Sequence, residues 1–149
     1  MKKLQTFFAA VSLLLATSAF AVTGPEKVSP MVKTAFEKSF TGASNVSWEK
    51  NDDFYFAHFK LNTRDMDAAY NENGELLGMS RVIASSELPL NVSRAITDKY
   101  PEYTVNNTVT EISYEGQTNY YVNVTNSRQL LKLKCAGNGE ISIDKKTKK

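Results

Sequence analysis

The feature that most constrains this chain is an internal repeat. The segment Asn73-Gly74-Glu75-Leu76 returns as Asn138-Gly139-Glu140-Ile141. The apolar positions of one predicted helix also return in a second, with Val32, Ala35, Phe36 and Phe40 matched by Val92, Ala95, Ile96 and Tyr100. Repeated apolar and turn-forming positions describe a core and its corners, and they contain no reacting group. The repeat therefore predicts how the chain is built, and it indicates little about activity.

The first 21 residues have the layout of a secretory signal peptide. Lys2 and Lys3 precede an apolar run, residues 7–16, and the small-residue pattern Ala19-Phe20-Ala21 follows it. The apolar run is shorter than the roughly 20 residues that cross a membrane. We therefore predict cleavage after Ala21, a mature domain over residues 22–149 without a membrane span, and a bacterial protein that is periplasmic or secreted.

The charge balance predicts no nucleic-acid partner. The chain has 18 Lys and Arg against 16 Asp and Glu, and cleavage removes Lys2 and Lys3, which leaves a formal net charge of zero. Nucleic acids and anionic lipid surfaces select proteins with an excess of positive charge. The lysines of residues 145–149 are interpreted as a basic, solvated C-terminal tail.

Two helices are predicted from apolar residues at spacings of three and four. In the first, over about 30–41, Pro30 suits the opening position and Gly42 suits the end. The second, over about 88–100, ends before Pro101, whose ring excludes a helical conformation for the preceding residue.

After each helix the apolar period changes from 3.6 to 2, which is typical of strands. Tyr55, Ala57 and Phe59 then share one face of a strand, and the first strands of the two repeats are expected at about 46–50 and 104–114. We predict an α+β fold of two tandem repeats, about 28–84 and 85–144, each a helix followed by an antiparallel meander of about four strands. The helices are expected to pack on one face of the sheet.

The other face of the predicted sheet carries unusual aromatic residues. Alternation places Phe54, Phe56 and His58 there in the first repeat and Tyr121 in the second. Large aromatics on an open face expose apolar area that a monomer usually hides. Two alternatives follow: a loop or tail covers these rings, or they bind something.

Several motifs together resemble a known family. They are Ala43-Ser-Asn-Val-Ser-Trp48-Glu-Lys50, Tyr55-x-Ala57-x-Phe59, Tyr70-x-x-x-Gly74-Glu-Leu76, Leu88-Pro89-x-x-Val92 and Tyr100-Pro101. In order and spacing they are similar to the β-lactamase-inhibitor-like, PepSY-like family of small exported bacterial proteins. The resemblance implies helix-plus-sheet repeats in the periplasm and the binding or inhibition of another protein. No inhibitory residue of the named inhibitor can be matched onto this chain.

Two hypotheses of function follow. The first is a non-catalytic periplasmic binding module, an inhibitor or regulator of another exported protein, that docks through the open sheet face. Its candidate anchors are Trp48, Phe54, Phe56 and Tyr121, although Trp48 also fits a core position at the start of the sheet. The alternative is a small-ligand carrier or sensor with a pocket between helices and sheet, a space that Phe36, Phe40, Phe59 and Tyr100 are expected to fill.

The sequence predicts no enzyme, no cofactor and no metal site. His58 is the only histidine, so one chain offers nothing for a catalytic triad or a two-histidine metal site. Cys135 falls at an inward strand position and is expected to be a small core residue. The Asn and Asp oxygens at residues 51–53 and 71–75 favour hairpin turns over calcium loops, because neither stretch has the spacing of a calcium loop.

Overall fold

The structure, a computed structural model, describes residues 28–149. Within that range the chain forms two α-helices, α1 (Pro30–Ser39) and α2 (Leu90–Lys99), and a short 3₁₀ helix, Ser85–Glu87. The strands of the same range are β1 (Ser44–Asn51), β2 (Phe54–Leu61), β3 (Arg64–Asn71), β4 (Leu76–Ala84), β5 (Thr104–Tyr114), β6 (Gln117–Thr125), β7 (Gln129–Ala136) and β8 (Ile141–Lys148). They form one eight-stranded sheet whose order follows the chain from β1 to β8.

The predicted fold class, α+β with two tandem repeats of a helix and a four-stranded meander, is wrong. The described chain is mostly one antiparallel sheet, and its two helices have ten residues each. Hydrophobic periodicity defines each element by itself, but it does not show which strands exchange backbone hydrogen bonds. A strand order that continues from β4 into β5 has the same local pattern as two separate meanders, so the apolar spacing could not distinguish the two arrangements.

Helix α1 begins where the sequence predicts it. The Ser29 hydroxyl accepts a hydrogen bond from the Val32 N–H at 3.3 Å, and Pro30 occupies the first turn, where its missing N–H costs nothing. Val32 and Phe36 are buried one turn apart. The helix ends at Ser39, and the N–H of Phe40 still donates to the carbonyl of Phe36.

The chain divides by its internal contacts into two compact units, the first ending at Ser80 and the second beginning at Arg81. The core of the first unit lies between α1 and one face of β1 to β3. Phe59 is its centre, because the ring centroids of Phe36 and Phe40 lie 5.0 Å and 4.7 Å from that of Phe59. Aromatic pairs at these distances stabilise a core beyond the area they bury.

The core of the second unit lies between α2 and the strands β5 to β8. Val92 and Ile96 of α2 are buried, and they pack with a set that includes Val122, Leu133 and Cys135. Cys135 is fully buried, which confirms its prediction as a small core residue. Burial raises the pKa of its thiol to about 11.

Lys145, Lys146 and Lys148 belong to β8, so the structure places them in a strand where the sequence suggested a tail. The signal peptide over residues 1–21 lies outside the described residues, and the boundaries of the two repeats stay predictions. No helix within residues 28–149 is long and apolar enough to cross a membrane.

Candidate functional site

The candidate site is the face of the first unit's sheet that points away from α1. In β2, Tyr55, Ala57 and Phe59 pack in the α1-side core, so Phe54, Phe56, His58 and Lys60 lie on the other face. The antiparallel register sets Phe56 opposite Ala69 and His58 opposite Asp67. Cross-strand partners share a face, so the acidic side chains of β3 lie beside the basic ones of β2.

Four polar side chains form a row across this face, which we call the polar row: Glu49, His58, Asp67 and Ser80. The Ser80 hydroxyl donates to Asp67 Oδ2 at 2.8 Å, and Asp67 Oδ1 lies 2.7 Å from His58 Nδ1. On the far side of the imidazole, His58 Nε2 lies 3.8 Å from Glu49 Oε2. Hydrogen bonds thereby hold one side chain from each of β2, β3 and β4, and Glu49 of β1 lies at the end of the row.

The charge of His58 is set by its neighbours in the polar row. The hydrogen bond to Asp67 raises the pKa of His58 above its ordinary value of 6.5, and partial burial opposes this rise. The charges of Asp67 and Glu49 raise the pKa further. The imidazole therefore holds its proton over a wider pH range than a free histidine does.

The polar row contains the residue types of a serine triad in an order that does not activate the serine. Ser80 donates to the carboxylate of Asp67, whereas a nucleophilic serine donates to the imidazole base. Ser80 is also 2% exposed. Within residues 28–149, no group of three or more His, Cys, Asp or Glu side chains is placed to hold a metal ion.

The predicted anchors Phe54 and Phe56 both lie on this face, at unequal depth. Phe56 is 1% exposed and belongs to neither helix-side core, while Phe54 is half-buried. Of the two alternatives that the sequence leaves open for Phe56, this burial favours a covered ring, and its role as a partner anchor stays a prediction. Alternation along β2 correctly assigns the face of this ring, but it cannot show how deeply the ring is buried.

Trp48 is not brought together with these two rings. Its indole packs on the α1 side, with ring centroids 5.2 Å from Phe36 and 6.2 Å from Tyr70. Trp48 is half-buried at the margin of the first unit's core. This is the core position that the sequence offered as the alternative to a contact role.

Tyr121 belongs to the second unit, on the face of β6 that points away from α2. It is 8% exposed, and the ammonium of Lys132 lies 5.5 Å from the centre of its ring. Burial raises the pKa of the Tyr121 hydroxyl, and the charge of Asp144 raises it further. Tyr121 is therefore a packed ring with a cation beside it.

A cleft lies between the end of α1 and the outer strand β1, and Val46 in its lining is a residue that the sequence did not single out. The cleft has a volume of about 520 Å³, and its apolar lining includes Phe36, Phe40, Val46 and Trp48. Val46 is one of the exposed large apolar residues, at 39%. Alternation could not reveal this cleft because β1 is irregular, with a register shift between Ser44 and Ser47.

The turn at residues 71–75, predicted as a hairpin turn, uses its oxygens internally. The Asn71 Oδ1 atom accepts hydrogen bonds from the N–H groups of Asn73 and Glu75, each at 3.0 Å. This side-chain-to-backbone pattern is what makes asparagine common in turns.

The fold is similar to that of solved structures from Bacteroides. A BLIP-like protein from Bacteroides fragilis gives a TM-score of 0.67 at 22% sequence identity, over 85% of this chain and 89% of that chain. A DUF2874 family protein from Bacteroides uniformis gives a TM-score of 0.67 at 20% sequence identity, over 80% of this chain and 88% of that chain. A protein from Bacteroides eggerthii that is assigned to the periplasm gives 0.68 at 18% identity, over 81% and 88%.

No family model matches the chain, and no curated protein matches it. The prediction of a periplasmic or secreted protein agrees with the assignment of the Bacteroides eggerthii protein to the periplasm. The PepSY-like part of the sequence resemblance stays a prediction. The β-lactamase-inhibitor-like part of the resemblance is confirmed at the level of the fold, because the chain has the fold of a BLIP-like protein.

Proposed function

We propose that the protein is a non-catalytic periplasmic module that binds another exported protein through the sheet face carrying Phe54, Phe56 and the polar row. The observation that carries this proposal is the ordered row itself. Contacts of 2.7 Å and 2.8 Å fix the side chains of three strands before any partner arrives. Groups that are already ordered cost less conformational entropy when a complex forms.

The chemistry of the polar row favours binding over catalysis. A general base near neutral pH has to accept a proton, and the raised pKa of His58 favours its protonated form. The row instead presents an imidazole flanked by the carboxyl groups of Asp67 and Glu49, a polar pattern that can complement polar and charged groups of a partner surface. Phe54, half-buried on the same sheet face as the row, supplies apolar contact area.

The name of the Bacteroides fragilis neighbour supports the same class of function. We propose that the bound protein is an exported enzyme or receptor whose activity this module restrains. β-Lactamase inhibition in particular is not proposed, because no inhibitory residue can be matched. Fold and function are separable, so the face has to be tested directly.

Site-directed photocrosslinking in cells tests the proposed face. Benzoylphenylalanine in place of Phe54 should give a discrete crosslinked species of higher mass in the periplasmic fraction after irradiation. The matched control places the same photoprobe at Met31 of α1, which is 60% exposed. The proposal fails if position 54 gives no adduct, or if both positions give the same adducts, since the second result reports only abundance.

A second candidate function, a small-ligand carrier, is supported by the cleft beside Trp48. The cleft volume of about 520 Å³ lies within the usual range for small-molecule sites, and the aromatic part of its lining suits the apolar part of a ligand. Trp48 is the only tryptophan of the chain, so its fluorescence reports on this cleft alone. Titration with anilinonaphthalene sulfonate should quench that fluorescence saturably if the cleft binds apolar ligands, and Val46→Lys should abolish the quenching.

A further inference from the structure

Strand β8 is one edge of the sheet and carries a concentrated positive charge. It is last in the strand order, and among residues 28–149 no strand pairs with its outer side. Lys145, Lys146 and Lys148 are all exposed. An unpaired strand edge presents a row of backbone N–H and C=O groups that can accept another strand.

The lysines lie on both faces of this edge. Lys146 is the cross-strand partner of Leu131, which packs in the α2-side core, so Lys146 lies on that side. Lys145 is paired with Lys132 and lies on the opposite side. Any strand added beyond β8 would therefore have positive charge above and below it.

This charge pattern selects between possible partners. A second copy of β8 would bring three more lysines and one aspartate to the edge, and two strands of the same net charge repel each other. An acidic strand would instead be attracted to the lysines of residues 145–148. Edge lysines thus discourage self-association while leaving one class of partner favourable.

We propose that the outer edge of β8 binds an extended, acidic segment of another protein by strand addition. Backbone hydrogen bonds to β8 supply the affinity, and carboxylates of the segment, paired with Lys145, Lys146 and Lys148, supply the selectivity. The inference does not rest on the proposed function, because β8 belongs to the second unit and the contact uses a sheet edge.

The test uses the exported protein and four blocked ten-residue peptides. Three repeat two threonines followed by two glutamates, two glutamines or two lysines, so that both faces of the strand carry the tested residue, and the fourth is the glutamate peptide with all its backbone nitrogens methylated. The glutamate peptide should bind about tenfold more tightly than the glutamine peptide, because several exposed charge pairs each contribute a small amount. The lysine peptide should not bind, and added salt should weaken the binding of the glutamate peptide.

Two comparisons separate strand addition from simple charge attraction. The methylated peptide keeps every carboxylate but loses donors, so it should bind at least about fivefold more weakly. Amide hydrogen exchange should slow in β8 on binding and stay unchanged in β1. Equal binding of the methylated peptide, or protection of β1 in place of β8, overturns the proposal.

A charge-matched pair of variants completes the design. K145Q/K146Q removes one lysine from each side of β8 and should lower the affinity for the glutamate peptide about fivefold. K33Q/K38Q removes two exposed lysines of the α1 segment and should leave affinity unchanged. Equal losses in the two variants overturn the proposal, because they would show that only net charge matters. Far-ultraviolet circular dichroism confirms that both variants are folded.

Discussion

The backbone of Gly74 lies so close to helix α1 that a Cβ atom at this position would stand 3.0 Å from the carbonyl oxygen of Met31. Gly74 also has a φ of +76°, a left-handed backbone conformation that is strained for any residue with a Cβ atom. The turn after β3 can therefore lie this close to the first turn of α1 only because residue 74 has no side chain. We expect Gly74→Ala to destabilise the fold through both effects.

Gly116 provides the matched control for Gly74. Its φ is +73°, but nothing lies within 4 Å of a Cβ built there. Gly116→Ala should cost about 1 to 2 kcal/mol, the strain of the left-handed conformation alone. Gly74→Ala should cost more by about 1 kcal/mol or more, because atoms must also move apart. Urea unfolding of both variants measures the difference, and equal costs would contradict the close approach to Met31.

Neighbouring residues of β2 should differ sharply in their contribution to stability. Phe59 is 4% exposed between Phe36 and Phe40, so Phe59→Ala should destabilise by about 3 to 5 kcal/mol. Lys60 points to the other face and pairs with Asp65 at the surface, so Lys60→Ala should cost about 1 kcal/mol or less. Similar urea midpoints for the two variants would show that the assigned faces are wrong.

Phe54 and Phe56 share a face, yet we expect them to respond differently to substitution. Phe56→Ser should destabilise by about 3 kcal/mol or more, because a ring that is 1% exposed is replaced by a small polar group. Phe54→Ser should cost clearly less, since that ring is only half-buried. Thermal melts of the exported protein measure both costs. If Phe56→Ser melts like the unsubstituted protein, this ring is accessible and belongs to the binding face.

His58 predicts a pH dependence of stability. Its folded-state pKa is raised above 6.5, so its contribution is fully present below about pH 6.5 and is lost as pH rises through the folded-state pKa. The free energy of unfolding of the unsubstituted protein should therefore fall, relative to His58→Gln, as the pH rises from about 6.5 through the folded-state pKa. Urea unfolding across this range measures it.

Lys60→Gln is the control for the pH experiment, because it changes another basic side chain of the same strand face and leaves His58 in place. It should keep the pH dependence of the unsubstituted protein. A nuclear magnetic resonance titration of the His58 ring gives the folded-state pKa independently. A value at or below 6.5 would show that Asp67 does not hold the proton on the imidazole.

Local elements of this fold are readable from the sequence because each depends on near neighbours. The spacing of Val32 and Phe36 predicts α1, and alternation through Leu131, Leu133 and Cys135 predicts the inward face of β7. The hydrogen bond between Ser80 and Asp67 joins residues 13 positions apart on neighbouring strands. Such a contact requires the register of the sheet, which no local pattern contains.

Strand β8 illustrates a second limit of predicting the fold from local sequence patterns. Its residues after Ile141 are exposed on both sides, so the apolar alternation that marks a strand is lost. The sequence therefore predicts a solvated tail for the lysines of residues 145–149. The depth of Phe56 could not be predicted either, because it depends on what lies over the sheet face, and alternation along the strand does not describe this.

Cys135 has a consequence for how the protein can be studied. Its thiol is fully buried, and its pKa of about 11 leaves almost no thiolate at neutral pH. An exported chain with this thiol resists forming mixed disulfides while it is folded. Labelling by a thiol reagent then requires β7 to open, so the labelling rate in native buffer counts opening events. The natural cysteine thus reports local unfolding of β7 without a denaturant and without an engineered labelling site.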